Sequence, residues 1–229
     1  AAFSINCVSF LLSAFFVFRI VYKHIPGHIK TNFIEDFKEG WKVTKGIPLI
    51  VKLFGPIVVI NFFLAALFIL VTVFAEGVFN KGSAGMGMMM TGLTLGMFIG
   101  ALLMSKGQLK FKTQYLLFFS LLFIGMAFFV MSFVQNFYLH LLMYALVGIS
   151  LNISNISLMA LFQKIVPNEV RGKVFGLLTS ASVSSQPISY GIMGLITDVA
   201  TPSAILLFCA FALTLTSLYF LIIKELKLV

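Results

Sequence analysis

Long stretches without a charged residue alternate with short polar segments along this chain. The uncharged stretches cover residues 1–18, 53–75, 82–105, 113–163, 174–197 and 199–223. A helix that crosses a bilayer needs about 20 apolar residues, so the stretch at 113–163 is too long for one crossing. The polar pair Gln135 and Asn136 divides it. The pattern therefore predicts seven membrane-spanning helices.

The composition agrees with an all-α membrane protein. Apolar residues make up 60% of the chain and charged residues only 10%, and the mean hydropathy is +1.08. A soluble domain could not cover its surface with so few polar groups. Backbone groups in lipid must be paired within helices or within a closed barrel. The stretches lack the polar–apolar alternation of barrel strands, so we expect helices.

The basic residues predict the orientation in the membrane. The formal net charge is +9, and of the 16 lysines and arginines all but Lys81 fall on one side of the predicted spans. Loops rich in Lys and Arg stay in the cytoplasm. We therefore expect a multi-pass protein of the cell (plasma) membrane, with a cytoplasmic linker and C-terminus. Topology and attraction to membrane lipid explain the positive charge, and no nucleic acid partner is expected.

The spans and loops predict four parts. Residues 1–22 form a first transmembrane helix, 23–52 a cytoplasmic linker, 53–223 a six-helix bundle, and 224–229 a cytoplasmic tail. The turns on the other side are short, at 76–81, 135–136 and 198–201. Short turns favour antiparallel packing of helices that follow one another in sequence.

The linker contains the pattern of a short amphipathic helix. Asn32 and Glu35 have the spacing of a capping box at a helix start. Phe33, Phe37 and Trp41 recur every four residues and form one apolar stripe. We expect this helix to lie at the membrane surface or under the bundle.

The predicted spans differ in their side chains. Spans 113–134 and 202–223 are rich in Phe and Leu, which suits contact with lipid. Two other spans carry small residues at four-residue spacing, which lets helix backbones approach closely. We expect helix interfaces at these positions: Gly92, Gly96 and Gly100 in span 82–105, and Gly172, Gly176, Ser180 and Ser184 in and just before span 174–197.

Polar and adaptable side chains inside the spans are the candidates for a binding cavity. An amide facing lipid is costly, so Asn61, Asn152, Asn155 and Gln186 either line a cavity or bond to neighbouring helices. Gly148, Asn152 and Asn155 share one helix face, which should look into a cavity or a polar seam. Met89 belongs to a methionine cluster that either adapts to ligands or simply packs.

Span 174–197 also carries a candidate hinge at Pro187. Pro187 removes a backbone donor inside the span, and the serines before it can bond the freed carbonyl. A bend here would fit a rocking motion, although packing of small residues explains the same pattern.

Enzymatic, metal and cofactor sites are not expected. The chain lacks a Walker loop, HExxH, GxSxG and paired CxxC motifs. His24 and His28 are four residues apart, but no third ligand lies near them in sequence. No acidic residue lies in the middle of a span; Glu76 and Asp198 are the acids outside the basic side.

Two stretches resemble a known transporter family. Residues 165–176 read IVPNEVRGKVFG, and residues 35–41 and 47–49 read EDFKEGW and IPL. The first is similar to the VPxxxRGRVFG loop between the tenth and eleventh helices of the major facilitator superfamily, in its macrolide-efflux and enterobactin-exporter-like branch. The second resembles that branch's entry to the seventh helix. Gly100 and Gly107 match the glycines of another loop motif of the superfamily, but Met104 and Ser105 stand where that motif has Asp and Arg.

The resemblance implies the sixth helix, central loop and C-terminal half of such a transporter. It implies alternating access, export of a lipophilic or amphipathic small molecule such as a drug, coupling to protons, and an N-terminal helical half as partner. Pro167, Glu169, Arg171 and Gly172 would form a cytoplasmic gate or loop motif, with Arg171 pairing with Glu169 or contacting the other half. The alternative is a truncated, non-transporting membrane protein or partner subunit, and the missing initiator Met leads us to expect sequence upstream.

Overall fold

The computed structural model describes residues 2–19, 33–105 and 111–227. The expected capping residue Asn32, the pair His24 and His28, and the motif glycine Gly107 lie outside these ranges. The chain divides into two units, residues 1–33 and 34–229. In the first unit, α1 (Ala2–Phe18) is an uncharged helix of 17 residues.

The second unit contains the other helices. They are α2 (Phe33–Lys45, whose first residue belongs to the first unit), α3 (Pro48–Val73), α4 (Gly82–Ser105), α5 (Thr113–Phe133), α6 (Phe137–Ile165), α7 (Arg171–Thr197) and α8 (Pro202–Ile222). A π-helical turn, Phe74–Val78, extends α3, and a 3-10 turn, Lys224–Lys227, follows α8. Every regular element in the described ranges is helical, which confirms the all-α membrane class.

Five helices of the described chain are long and apolar enough to cross a membrane. They are Pro48–Val78, which joins α3 to the π-helical turn, and α4, α5, α6 and α8. The apolar part of α1, Ser4–Phe18, is shorter. The 27 residues of α7 include Ser and Thr throughout and fall outside this group. The sequence pattern predicted seven spans. The two predicted spans outside this group of five are α1, which is short, and α7, which is less apolar.

Helix order in space differs from helix order in sequence. The most extensive packing joins α4 to α6, α5 to α8, α5 to α6 and α3 to α7. Only α5 and α6 are sequence neighbours, whereas α3 with α4 and α7 with α8 make few contacts. The expected antiparallel packing of successive helices is therefore wrong for two of the three short turns. A short turn joins two helix ends, but the side chains along the helices decide which faces pack.

The packing repeats between two helix triplets. Exchanging α3, α4 and α5 with α6, α7 and α8 converts the α3–α7 pair into α6–α4 and the α3–α8 pair into α6–α5. The α5–α8 pair maps onto itself. Such a pattern is typical of internal repeats in secondary transporters.

Helices α4 and α6 approach each other closely at three glycines. A methyl group added to Gly96 would overlap the carbonyl oxygen of Ala145, and one added to Gly148 would overlap that of Leu93. One added to Gly100 would lie 2.6 Å from the Ile149 carbonyl oxygen. These neighbours are backbone atoms, which cannot turn away as a side chain does. Glycine is therefore required for this approach of the two helices.

Polar contacts connect the helix ends that carry the basic residues, here called the basic end. Lys52 of α3 forms an ion pair with Glu225 in the 3-10 turn. The hydrogen bond from Lys52 lowers the pKa of the Glu225 carboxyl below its ordinary value of 4.5. The buried amide of Gln114 in α5 donates to the carbonyls of Phe220 and Leu221 at 3.0 Å each. The ends of α3, α5 and α8 are thus tied together.

The described part of α2 packs under the bundle at the basic end. The ring of Trp41 lies edge-on to Phe54 of α3, with 5.4 Å between ring centroids. Buried Thr44 donates its hydroxyl to the Gly40 carbonyl at 2.8 Å. Pro48 begins α3, a position where its missing N–H has no partner to lose. These contacts favour a position under the bundle over a position at the membrane surface.

Candidate functional site

Helices α3, α5, α6 and α7 surround a partly open cavity of about 210 Å³. Most of its wall is apolar. The lining residues are Ile57, Ile60, Asn61, Leu64, Ala65 and Phe68 of α3, Leu121 and Ile124 of α5, Leu151, Ser154, Asn155 and Leu158 of α6, and Gln186 of α7. The structure therefore brings together three of the amides singled out in the sequence, each from a different helix.

Each of the three amides lies in the central third of its helix. They are 94 and 31 residues apart in sequence and meet only because α3, α6 and α7 lie around the same space. A few convergent polar groups in an otherwise apolar pocket are typical of small-molecule sites.

Asn61 presents an acceptor to the cavity. Its Nδ2 donates to the carbonyl of Ile57, one turn earlier in α3, at 2.9 Å. A carbonyl can only accept, so this bond fixes which end of the side-chain amide faces the backbone. The carbonyl oxygen Oδ1 of Asn61 is left for a ligand or for water.

Asn155 and Gln186 keep both ends of their amides available. Within the described ranges neither side chain makes a hydrogen bond to another residue, and Asn155 is exposed while Gln186 is half-buried. Each amide offers two N–H donors and one carbonyl acceptor. Ser154 adds a largely buried hydroxyl beside Asn155. The described lining includes no charged residue, so the polar groups that it offers are neutral hydrogen-bond donors and acceptors.

Asn152 and Met89 lie elsewhere. The amide of Asn152 donates to the Met97 carbonyl of α4 at 2.8 Å, next to the glycine contact with α6. Met89 is fully buried in the hydrophobic core. The shared face of Gly148, Asn152 and Asn155 thus divides, because the first two face α4 and only Asn155 reaches the cavity.

Arg171 at the start of α7 closes the turn after α6. Its guanidinium donates to the carbonyls of Gln163 at 2.8 Å and Val166 at 3.3 Å. A positively charged side chain near the C-terminal end of a helix can donate hydrogen bonds to the last carbonyls of that helix. The contact that the structure gives Arg171 is therefore with the end of α6 rather than with Glu169. Pro167, Glu169 and Gly172 are exposed in the same region.

The small-residue face of α7 is open in this bundle. Gly172, Gly176, Ser180, Ser184 and Pro187 are exposed. A methyl group on Gly172 or Gly176 would meet no atom within 4 Å. This differs from the glycines of α4, which are in close contact with α6.

Two serines, one in the cavity wall and one buried near it, were not predicted from the sequence. Ser154 adjoins Asn155, and its place beside a candidate amide was the available signal. Ser189 of α7 is fully buried and donates to the Phe62 carbonyl of α3 at 2.6 Å. It follows the serine cluster before Pro187, but sequence alone gives no sign of its partner. Among the described residues, no three metal-ligating side chains come together.

A comparison with protein families identifies the chain's relatives. The family described as the Major Facilitator Superfamily matches two overlapping stretches, residues 1–190 and 79–227. The curated proteins and the solved structures gave no match. Members of this family are membrane transporters and not enzymes, in agreement with the apolar helices and the repeated packing of the triplets. The chain is therefore a multi-pass membrane protein that belongs to the Major Facilitator Superfamily.

Proposed function

We propose that the chain is part of a secondary active efflux transporter of the macrolide-efflux and enterobactin-exporter-like branch. It would export a lipophilic or amphipathic small molecule by alternating access, driven by protons. In this proposal α1 ends the N-terminal half, α2 is the cytoplasmic linker, and α3–α8 are the C-terminal half. The basic end faces the cytoplasm, because Lys and Arg are retained there.

The observation that supports export is the cavity that presents three amides from three helices. Its apolar wall suits the lipophilic part of a substrate, and its hydrogen-bonding groups suit an uncharged polar part. Asn61 would accept from a substrate hydroxyl or N–H, while Asn155 and Gln186 would donate or accept. A substrate held in this way can leave, because neutral hydrogen bonds are weaker than buried ion pairs.

Proton coupling requires a titratable group that the described lining does not supply. Glu76 and Asp198 are exposed near the opposite end of the bundle, where solvated carboxylates are ordinary. We propose that the N-terminal half provides both the coupling carboxylate and the other wall of the cavity. Alternating access would then come from rocking of the two halves around the amides, with Arg171 holding the α6–α7 turn rigid at the gate.

The test is to express the whole gene in a host that lacks its own efflux pumps. The accumulation of rhodamine 6G, a lipophilic dye, is measured with and without an uncoupler. We expect the gene to lower accumulation, and the uncoupler to restore it. Accumulation that responds to neither would contradict gradient-driven export. A gene with no further spans upstream would instead favour the non-transporting subunit.

A further inference from the structure

We propose that Ser189 is a positioning residue that holds Gln186 opposite Asn61 across the cavity. The inference rests on the proposed function for its effect on transport, but its structural part is tested separately. Ser189 is fully buried, and its hydroxyl donates to the carbonyl of Phe62 in α3 at 2.6 Å. Among the described residues, this bond joins α7 directly to α3.

The bond connects the immediate neighbours of two cavity amides. Phe62 follows Asn61 in α3. Ser189 lies three residues after Gln186 in α7, so the two side chains project from the same side of that helix. A shift of α7 along or away from α3 would therefore change the spacing of Gln186 and Asn61 directly.

The position of Pro187 explains why α7 needs this bond. Proline has no N–H, so the helix lacks the bond that would join residue 187 to the carbonyl of Val183. The backbone is weakened in the turn between Val183 and Pro187, which contains Gln186, and helices bend at such places. The bond from Ser189 attaches α7 to α3 just beyond the weak point. Gln186 lies just before this attachment, so the bond limits how far the weakened turn can move.

Ser185 provides a matched control. It is also buried and lies one turn before Ser189 on α7. Its hydroxyl donates to the Ser182 carbonyl of its own helix at 2.7 Å. Ser185→Ala and Ser189→Ala remove the same group from similar burial, but only the second removes a bond to another helix.

The first measurement needs no substrate. Spin labels are placed at Gly77 and Leu195 in the whole transporter, with all other cysteines replaced, and the distance distribution is recorded. Leu195 is 72% exposed, and a side chain at Gly77 meets no atom within 4 Å. We expect Ser189→Ala to shift or broaden the distribution and Ser185→Ala to leave it unchanged. Equal distributions in the two variants would overturn the proposal.

The second measurement is the concentration dependence of rhodamine 6G export. We expect Ser189→Ala to raise KM about three- to tenfold, the effect of one interhelical hydrogen bond, with the maximal rate nearly unchanged. An altered distance with an unaltered KM would overturn the role in positioning Gln186. If the wild type exports no dye, the proposed function fails, and the distance measurement still decides the structural claim.

Discussion

The contact between α4 and α6 gives a sharp test of the packing. The perturbation is Gly96→Ala, the smallest side chain that can be added. The new methyl group would overlap the carbonyl oxygen of Ala145 and lie 2.8 Å from its carbonyl carbon and 3.0 Å from its Cα. All three atoms belong to the backbone of α6. The clash is relieved only if the two helices separate.

The expected magnitude follows from this geometry. Overpacking of a close contact costs about 1–3 kcal/mol, whereas alanine is better than glycine in a helix by about 0.5–1 kcal/mol. Gly87→Ala in the same helix is the control, because a methyl group there meets no atom within 4 Å. Both variants gain the same helix propensity, so their difference isolates the clash. At about 2–4 °C per kcal/mol for a chain of this size, the two melting temperatures should differ by about 2–12 °C.

The assay is thermal unfolding of the purified protein in detergent, followed by the loss of the monodisperse peak in size-exclusion chromatography. We expect Gly96→Ala to melt below Gly87→Ala by this amount. Equal melting temperatures would mean that α4 and α6 do not approach as described, and they would refute the reasoning.

Further predictions concern other polar contacts. Gln114→Leu should lower the melting temperature, because it removes the hydrogen bonds to α8, and such bonds are worth about 0.6–1.7 kcal/mol in membranes. An unchanged melting temperature would contradict a stabilising contact between Gln114 and α8. Asn152→Leu should reduce thermal stability through loss of the bond to Met97, whereas Asn155→Leu should reduce dye export with stability unchanged. A loss of stability in Asn155→Leu, or a loss of export at full stability in Asn152→Leu, would contradict these two roles. The pKa of Glu225 is lowered in the folded state, so its contact with Lys52 stabilises the fold above pH 4.5 and is lost as the pH falls through the folded pKa. The melting temperature of Glu225→Gln should therefore be lower than that of the wild type at neutral pH and equal to it in acid, and a difference that persists in acid would contradict the ion pair.

Sequence patterns predicted the helices well because their ends are set locally. Charged residues and turns mark where each apolar stretch stops, so Gly82–Ser105 is found as predicted, and the predicted span 113–134 ends one residue beyond Thr113–Phe133. Which helices pack together depends on side-chain shape across distant segments. The turn at 79–81 gave no indication that α4 would pack against α6 rather than α3.

The sequence indicated which residue types could form the candidate site, but it did not indicate which of those residues would meet in one cavity. Amides inside a membrane are costly, which directed attention to Asn61, Asn155 and Gln186, and these three line one cavity. Asn152 has the same chemistry and lies three residues from Asn155. Only the crossing of α4 over α6 decides that Asn152 meets the Met97 carbonyl and that Asn155 reaches the cavity. Ser189 was not predicted because its partner is a backbone carbonyl 127 residues away.

The most direct measurement is the accessibility of position 155 in the whole transporter. Asn155→Cys, in a background without other cysteines, is treated with a membrane-impermeant, charged thiol reagent, with and without rhodamine 6G. If Asn155 lines a water-filled substrate cavity, the introduced thiol reacts and the dye slows the reaction. The control is Phe129→Cys on the outer surface of α5. Lipid would cover that surface, so the charged reagent should not reach this thiol. A thiol at position 155 that never reacts, or that reacts at the same rate with and without dye, would contradict a substrate cavity lined by these amides.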